Sequence, residues 1–403
     1  MADTEDVFLV EIFHEKDPSA KDSLSAYNLQ LVKTRISKCL TKHDLCQSAE
    51  NGSLPKRVVD VAVGRPDGSI GAVLIEPANG IKVPYATLSY CWGKTDFKGT
   101  TKKTLADHLR QLKLEDLPST LQDAITVTRW LGLKYLWIDS LCILQGNKKD
   151  WQEESAKMAA IYEDSYITIA ATDAVDCNKG FLAKRMWTTS KISLDGHSYS
   201  IYFPRYPLFQ RGWVLQERLL AARVLHFTET EIFFECGDNT KCECLDDVDW
   251  DPEGIREDKK EEEDEEEQEE QEEQEDDGDM GEYENDESRI ATLKHKFADR
   301  SQSHYLGVWR MVVTNYTSML LTYDSDMLPA ISAIAGRLAP RLGGYIAGLW
   351  KDHLPGELLW YPNNKVACRK LHIAPSFSWA SVSTKAEGAE VEGAKVEWYP
   401  PGC

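Results

Sequence analysis

A chain of 403 residues with 42% apolar residues is long enough for two domains with real cores. Its net charge of −21 is concentrated: residues 257–287 hold 21 acidic and 2 basic residues, leaving 46 acidic and 44 basic elsewhere. The near-neutral remainder excludes the basic face of a nucleic-acid binder, and the longest apolar runs, "YLWIDSLCIL" and "YITIAA", are too short to span a bilayer. The N-terminal "MADTEDVFLVEIFHEKD" is acidic and lacks a basic flank, so it reads as neither a signal nor a transit peptide. The expected compartment is cytoplasmic, with the ten cysteines as thiols and the sequons at Asn51 and Asn315 without meaning.

Residues 1–80 form an N-terminal extension. "AYNLQLVKTRISKCLTKHDLC" has helical spacing of its apolar residues, and "RVVDVAV" and "AVLIEP", joined by a turn at Asp67-Gly68, read as a β-hairpin. A second unit, 81–250, has a different rhythm. "YATLSYCW" reads as a strand and 118–132 as a helix, with Ser119 and Gln122 as its capping box and Gly132 as its stop. "YLWIDS" is the next strand, 150–165 a second helix led by Asp150 and Glu153, and "YITIAAT" a third strand. Alternating strands and helices predict parallel pairing, and the nearly continuous apolar strands predict a sheet covered on both faces. "RGWVLQERLLAARVLHF" then reads as a helix leading into a strand, followed by "TEIFFEC". Gln216, Glu217 and Arg218 sit in its apolar frame, which is unusual for a solvated face.

Residues 251–290 contain the acidic run, which repels itself and has almost nothing apolar to bury, so it reads as a disordered insertion. Deleting 257–287 is expected to leave the melting temperature within a few degrees, because no core contact is lost. A broad or non-cooperative melt of the deletion variant would count against that. Residues 291–403 form a smaller mixed region packing on the second unit, with Trp309, Trp350, Trp360 and Trp379 as its aromatic core and a polar tail after Lys385 that frays.

In an open parallel sheet, ligands bind outside the carboxyl ends of the strands. Ser89, Tyr90 and Cys91 end the first strand, Asp139 the second, and Thr172-Asp173 the third, so short polar groups converge on one edge. Asp139 either lines the crevice or caps the loop that follows by accepting backbone N–H groups. Cys91 and Cys142 would need a general base to act as nucleophiles; His226 is the nearby candidate, and buried packing thiols are the preferred reading. Cys39, His43 and Cys46 share a helix face, and Cys236, Cys242 and Cys244 cluster near a strand end. Either triplet can seed a zinc site, but neither has the paired spacing of a zinc finger, so packing is preferred and no metal is expected. No phosphate-binding glycine loop and no nucleophile elbow is present.

The segments 85–93, 117–145, 150–171, 180–185 and 211–220, in that order, resemble the fungal heterokaryon-incompatibility (HET) domain family. The match covers most of 85–220, and "ISKCLTKHDLC", "LPKRVVDV", "YIAGLWKDHL" and "APSFSWASV" resemble the usual flanks. The resemblance implies cytoplasmic self/non-self recognition and programmed cell death in filamentous fungi. The HET domain is in turn similar to Toll/interleukin-1-receptor (TIR) domains, flavodoxin-like parallel α/β folds of which some cleave NAD⁺ with a helical glutamate. In "WVLQERL", Trp213, Leu215 and Glu217 fall on the matching TIR positions, while Val214 and Arg218 replace its cysteine and leucine.

The fold implied is α/β: a flavodoxin/TIR-like parallel sheet with helices on both faces, an N-terminal helix and β-hairpin, and a smaller mixed α+β C-terminal region. NAD⁺ enters as a substrate, with no resident cofactor. Glu217 is the catalytic candidate, holding the ribose hydroxyls and stabilising an oxocarbenium-like state, or else it forms a structural ion pair with Arg218 or Arg211. Ser89, Asp139 and Trp92 would bind substrate, Trp92 by stacking a base or else as a lid over the core, and Arg211 and Arg218 would hold a pyrophosphate. The alternative function is a non-catalytic module that signals death by assembly. Expected partners are a second copy through the HET domain and a recognition protein in trans, with no nucleic acid and no membrane.

Overall fold

The computed structural model describes residues 23–43, 46, 52–182, 206–229, 231–242, 293–298, 305–362, 369–383 and 395–399. The acidic run 257–287, residues 183–185 of the "GFLAKR" segment and Cys244 lie outside these residues. Helix α1 (Ala26–Lys42) opens the described chain, its first turn capped by the Ser25 hydroxyl, which accepts from the Asn28 N–H. Strands β1 (Val58–Gly64) and β2 (Ile70–Ile75) follow as the expected antiparallel hairpin. Next come β3 (Tyr85–Ser89), the short α2 (Leu105–His108) and α3 (Ser119–Trp130). Then come β4 (Tyr135–Trp137), the single-turn α4 (Asp139–Cys142), α5 (Lys148–Ser155), α6 (Met158–Glu163) and β5 (Ile167–Ala171). Helix α7 (Gly212–Leu220) leads into β6 (Arg223–Phe227), β7 (Ile232–Cys236) and β8 (Thr240–Cys242).

These eight strands form one sheet in the order β2-β1-β4-β3-β5-β6-β7-β8. Its centre, β4-β3-β5-β6, is parallel, and in chain order reads second, first, third, fourth. That is the start of the flavodoxin-type doubly wound order. The β3→β4 and β4→β5 crossovers run in opposite directions along the sheet, so right-handed connections place α3 and the α5–α6 pair on opposite faces. Strands β3, β5, β6 and β7 are buried at every position, which is why their sequences show no polar alternation. The hairpin is no separate extension: β1 pairs antiparallel with β4 and extends the central sheet.

Two local expectations are corrected. Ser119 is not the cap of α3; Pro118 occupies that position, and the Gln122 side chain donates instead to the Leu117 carbonyl at 2.7 Å. The helix expected over 150–165 is two short helices with a break at Ala156-Lys157. Asp150 does more than favour a helix start. It is buried and accepts from Lys56, from Arg57 and from the Leu144 N–H, tying the helix to the chain before β1.

The C-terminal part contains the described piece of α8 (293–298), α9 (Tyr305–Thr317), α10 (Ser332–Leu342) and three two-stranded pieces. Trp309, Trp350 and Trp379 are fully buried, with Trp309 and Trp350 edge to face at 5.5 Å. Trp360 is only partly buried at the rim of that cluster. The tail does not simply fray. Val396–Trp398 pairs antiparallel with Trp360–Pro362, and Val396 is fully buried.

Helix α7 joins the two parts. Leu215 and Leu219 belong to the C-terminal core, whereas Val214 packs with Cys91, Ala170 and Val224 on the sheet side. The Gly212 N–H donates to the Leu320 carbonyl at 2.8 Å, and a Cβ at Gly212 would come within 2.7 Å of Leu321. The helix start is thus pinned against the C-terminal part. Its polar residues face inward because both of its sides are covered.

Candidate functional site

The strand order reverses at β3, between β4 on one side and β5 on the other, and Ser89 ends β3 beside Ala170 of β5. Glu217 of α7 reaches this point. The Ser89 hydroxyl donates to Glu217 Oε2 at 2.5 Å, and both residues are closed off from solvent, Ser89 at 3% and Glu217 at 5% exposure. Tyr162 of α6 lies against the same carboxyl, and its hydroxyl also has the Leu88 carbonyl at 3.1 Å as an acceptor. Burial pushes the Glu217 carboxyl up to about 7; Arg211 and the Ser89 hydrogen bond oppose the shift, and the neighbouring charge of Asp139 adds to it. A carboxyl with that value is half-ionised at neutral pH, the range suited to proton transfer or charge stabilisation.

Asp139 stands on the rim and is partly exposed. It follows β4 as the first residue of α4, and both its oxygens are used: the Trp92 indole donates at 2.8 Å and the Ser140 N–H at 2.6 Å. Of the two roles open from the sequence, the carboxylate takes that of capping the turn, and it is also tied to Trp92 at the end of the neighbouring strand. Desolvation pushes its carboxyl up, against the pull of Arg211 and the Trp92 hydrogen bond. Tyr90 stacks on Trp92, with centroids 6.4 Å apart, and donates to the Ser140 hydroxyl at 2.8 Å. Arg211, partly exposed just before α7, donates to the Tyr90 carbonyl and influences both carboxylates. The turn after Trp92 requires Gly93: its φ is +68°, and a Cβ there would meet the Asp176 Cβ at 2.2 Å.

Ser89, Trp92, Asp139, Arg211 and Glu217 are thus brought together. Arg218 is not. One position along α7 its side chain turns the other way, stacks on Phe209 at 4.4 Å and donates to both oxygens of Glu235 at 2.8 and 3.1 Å. A small recess lined by Thr172, Phe209, Arg218, His226 and neighbours lies on that side, away from Glu217. The expected pyrophosphate role for Arg218 is therefore withdrawn, and so is its ion pair with Glu217. Tyr162 is not singled out by the sequence, and Tyr90 is named there only as one of the residues that end the first strand. The one signal for Tyr162 is a hydroxyl-bearing ring ending an apolar helical run, "MAAIYEDS".

Cys91 and Cys142 are buried, and burial pushes their thiols up to about 11 and about 12. His226 is no base for them, because its nitrogens meet Thr172 at 3.1 Å and Glu235 at 2.7 Å. Both thiols are packing groups.

The segment running from β3 to Glu217 is also where the chain matches a known family. Residues 85–217 match the family model described as heterokaryon incompatibility protein (HET). This chain carries a HET domain. Over 151 residues it is 28% identical to the vegetative incompatibility protein HET-E-1 of Podospora anserina, an alignment covering 36% of this chain and 10% of that relative. The chain thus aligns with about a tenth of the relative's length. No solved structure matches the chain. The HET match begins at Tyr85, the first residue of β3, and ends at Glu217 itself. It therefore spans β3, β4 and β5 of the parallel core with the polar groups gathered at their ends, and omits α1, the β1–β2 hairpin, β6–β8 and the C-terminal part. Among the described residues no helix is long and apolar enough to cross a membrane.

Asparagine at Asp139 is expected to destabilise the HET domain by about 1–3 kcal/mol, because its NH₂ group faces a donor that the carboxylate accepted from. Urea melts measure this. Curves that superimpose on the parent's would remove the pairing with Trp92 and Ser140 as a determinant of the fold.

Proposed function

We propose that this HET-domain protein acts in fungal self/non-self recognition and programmed cell death, and that it does so by cleaving NAD⁺ at the crevice holding Glu217. The observation that carries the reading is a desolvated carboxyl, pushed up to about 7, at the switch point of a doubly wound parallel sheet. Two charged groups act on it, the Arg211 guanidinium suited to phosphate and the Asp139 carboxylate, and Asp139 in turn holds the Trp92 indole, a group suited to stacking. In the reaction, the bond between nicotinamide and ribose C1′ breaks with its electron pair leaving on nicotinamide. Water adds to C1′ and gives ADP-ribose and a proton. Ionised Glu217 stabilises the positive charge that develops on the ribose, and Arg211 takes the pyrophosphate.

The test is incubation of the purified full chain with NAD⁺, followed by chromatography of the products. Nicotinamide and ADP-ribose are expected, with neither formed by Glu217→Gln. Cell death on expression without any NAD⁺ loss would sink the reading.

A second reading is favoured by the low exposure of Ser89 and Glu217. In it the pair is a buried polar latch that seats α7 between sheet and C-terminal part, and the HET domain signals by assembly. Its partners are then a second copy or a recognition protein in trans, met in the cytoplasm. That reading predicts that toxicity follows oligomer formation and is indifferent to NAD⁺.

A further inference from the structure

The cysteines that the sequence divides into two triplets are regrouped by the fold. Cys39 lies in the last turn of α1, His43 caps its C-terminus with its N–H on the Cys39 carbonyl at 3.3 Å, and Cys46 follows with its N–H on the His43 carbonyl at 3.1 Å. Cys236 is the last residue of β7, 193 positions from His43, with its sulfur 3.4 Å from His43 Nδ1. The four ligand atoms all lie within 4.8 Å of one another. The four residues are buried, with the cysteines at 0%, 1% and 3% exposure and His43 at 8%. All three cysteines are free thiols.

We propose that Cys39, His43, Cys46 and Cys236 form a structural zinc site that fastens α1 to the end of β7. Three thiolates and one imidazole are a complete tetrahedral set with no open position, which marks a structural rather than a catalytic centre. Zn–S bonds of about 2.3 Å in a tetrahedron place sulfurs about 3.8 Å apart, so the cluster needs only a small contraction to close on an ion. Soft thiolates with one imidazole select zinc over hard, oxygen-preferring cations.

Two neighbouring residues point to a metal rather than to packing. His43 Nε2 faces the Asp238 carboxylate at 3.3 Å, which orients Nδ1 towards the sulfurs. A carboxylate behind a histidine ligand is the usual outer partner of a zinc-bound imidazole. Arg223, fully buried in β6, places Nη1 3.8 Å from the Cys39 sulfur and 3.2 Å from the Cys46 carbonyl. Three thiolates with one dication carry a net single negative charge, and Arg223 is the buried cation beside it. Three buried thiols that merely fill space call for neither the carboxylate nor the guanidinium.

The site would do for this fold what the C-terminal part does for α7. Helix α1 precedes the sheet in sequence and packs on it through Val32 and Ile36 rather than as a crossover between two strands. The zinc cross-links it to β7, next to the strand that continues from α7. The link spans the chain from Cys46 to Cys236, and because the four ligands meet only in the folded chain, the free energy of zinc binding adds to the stability of the fold.

The experiment is metal analysis of the full chain purified without chelator, with cobalt substitution as a second readout. Stoichiometric zinc is expected, falling to near zero in Cys236→Ser and retained in Cys177→Ser, a buried thiol outside the cluster. The cobalt form is expected to show the intense thiolate-to-metal charge-transfer band and the visible bands of a tetrahedral centre. If Cys236→Ser does not fold, Asp238→Asn decides, since Asp238 is partly exposed and the change leaves the four ligands in place. It is expected to weaken zinc binding by about 10–100-fold in a chelator competition. A parent chain that neither contains zinc nor takes up zinc or cobalt on refolding would overturn the proposal. So would unchanged zinc content in Cys236→Ser, or unchanged affinity in Asp238→Asn.

Discussion

Glu217→Gln is expected to abolish cell death and NAD⁺ loss while leaving the chain folded, and to make the fold more stable than the parent above neutral pH. The amide keeps the size of the carboxyl and an oxygen for the Ser89 hydroxyl, so the packing of α7 survives. What is removed is a charge that burial disfavours. The folded-state value of Glu217 is raised from 4.5 to about 7. The folded chain therefore holds a proton that the unfolded chain releases between those values, and this contribution is fully present below about 4.5 and lost as pH rises through about 7. At about 1.4 kcal/mol per unit, the parent forfeits on the order of 3 kcal/mol by pH 8, and the glutamine variant forfeits nothing. The two melting curves should lie close at pH 5, with the variant above the parent at pH 8. Activity has the opposite dependence: it needs the ionised carboxylate and should rise through about pH 7. Thermal melts and NAD⁺ consumption over pH 5–8 check both. A folded variant that still kills, with NAD⁺ intact in both forms, moves the function to assembly.

The parallel core is readable from sequence because its strands are buried at every position but Tyr135 and so read as short apolar runs, which is a local signal. "YATLS", "YLW" and "ITIAA" carry no charged residue, with Thr87 and Thr168 as their internal polar groups, and Ser89 and Asp139 fall where the apolar runs end. What failed was direction around a helix covered on both sides. Glu217 and Arg218 are adjacent in a frame of leucines, and nothing in the sequence tells which faces the crevice and which faces Glu235, because the C-terminal part that covers the second side is distant in the chain. The same limit applies to Cys236, whose partners on α1 are set by the sheet rather than by spacing, and to the hairpin, whose pairing with β4 needs a neighbour from later in the chain. Capping at Ser119 failed for a smaller reason: a proline immediately before it already supplies the extended residue at the helix start.

Glu235→Gln is expected to cost about 3–5 kcal/mol of stability at neutral pH, the typical loss on breaking one side of a buried ion pair. Glu235 is fully buried and accepts from Arg218 at 2.8 Å and His226 at 2.7 Å, and Lys294 lies close by, donating to the Arg218 carbonyl at 2.9 Å. Burial alone would raise its carboxyl, but Arg218, Lys294 and His226 hold it well below the usual carboxylate range. The variant leaves two buried cations facing a neutral amide. Because the folded-state value is depressed, the ionised pair stabilises the fold above the ordinary value of 4.5 and loses that contribution as pH falls below it. The penalty of the variant is therefore largest at neutral pH and shrinks in acid, the reverse of the pH pattern at Glu217. The pair fastens α7 to β7, so the variant should lose function through loss of fold, with activity tracking the folded fraction, whereas Glu217→Gln loses function while folded. Urea melts of Glu235→Gln at pH 7 and pH 4 decide the matter. A cost under about 1 kcal/mol at pH 7 would mean that solvent already screens the pair, and Arg218 would return as a ligand-binding group facing the recess beside Thr172 and His226.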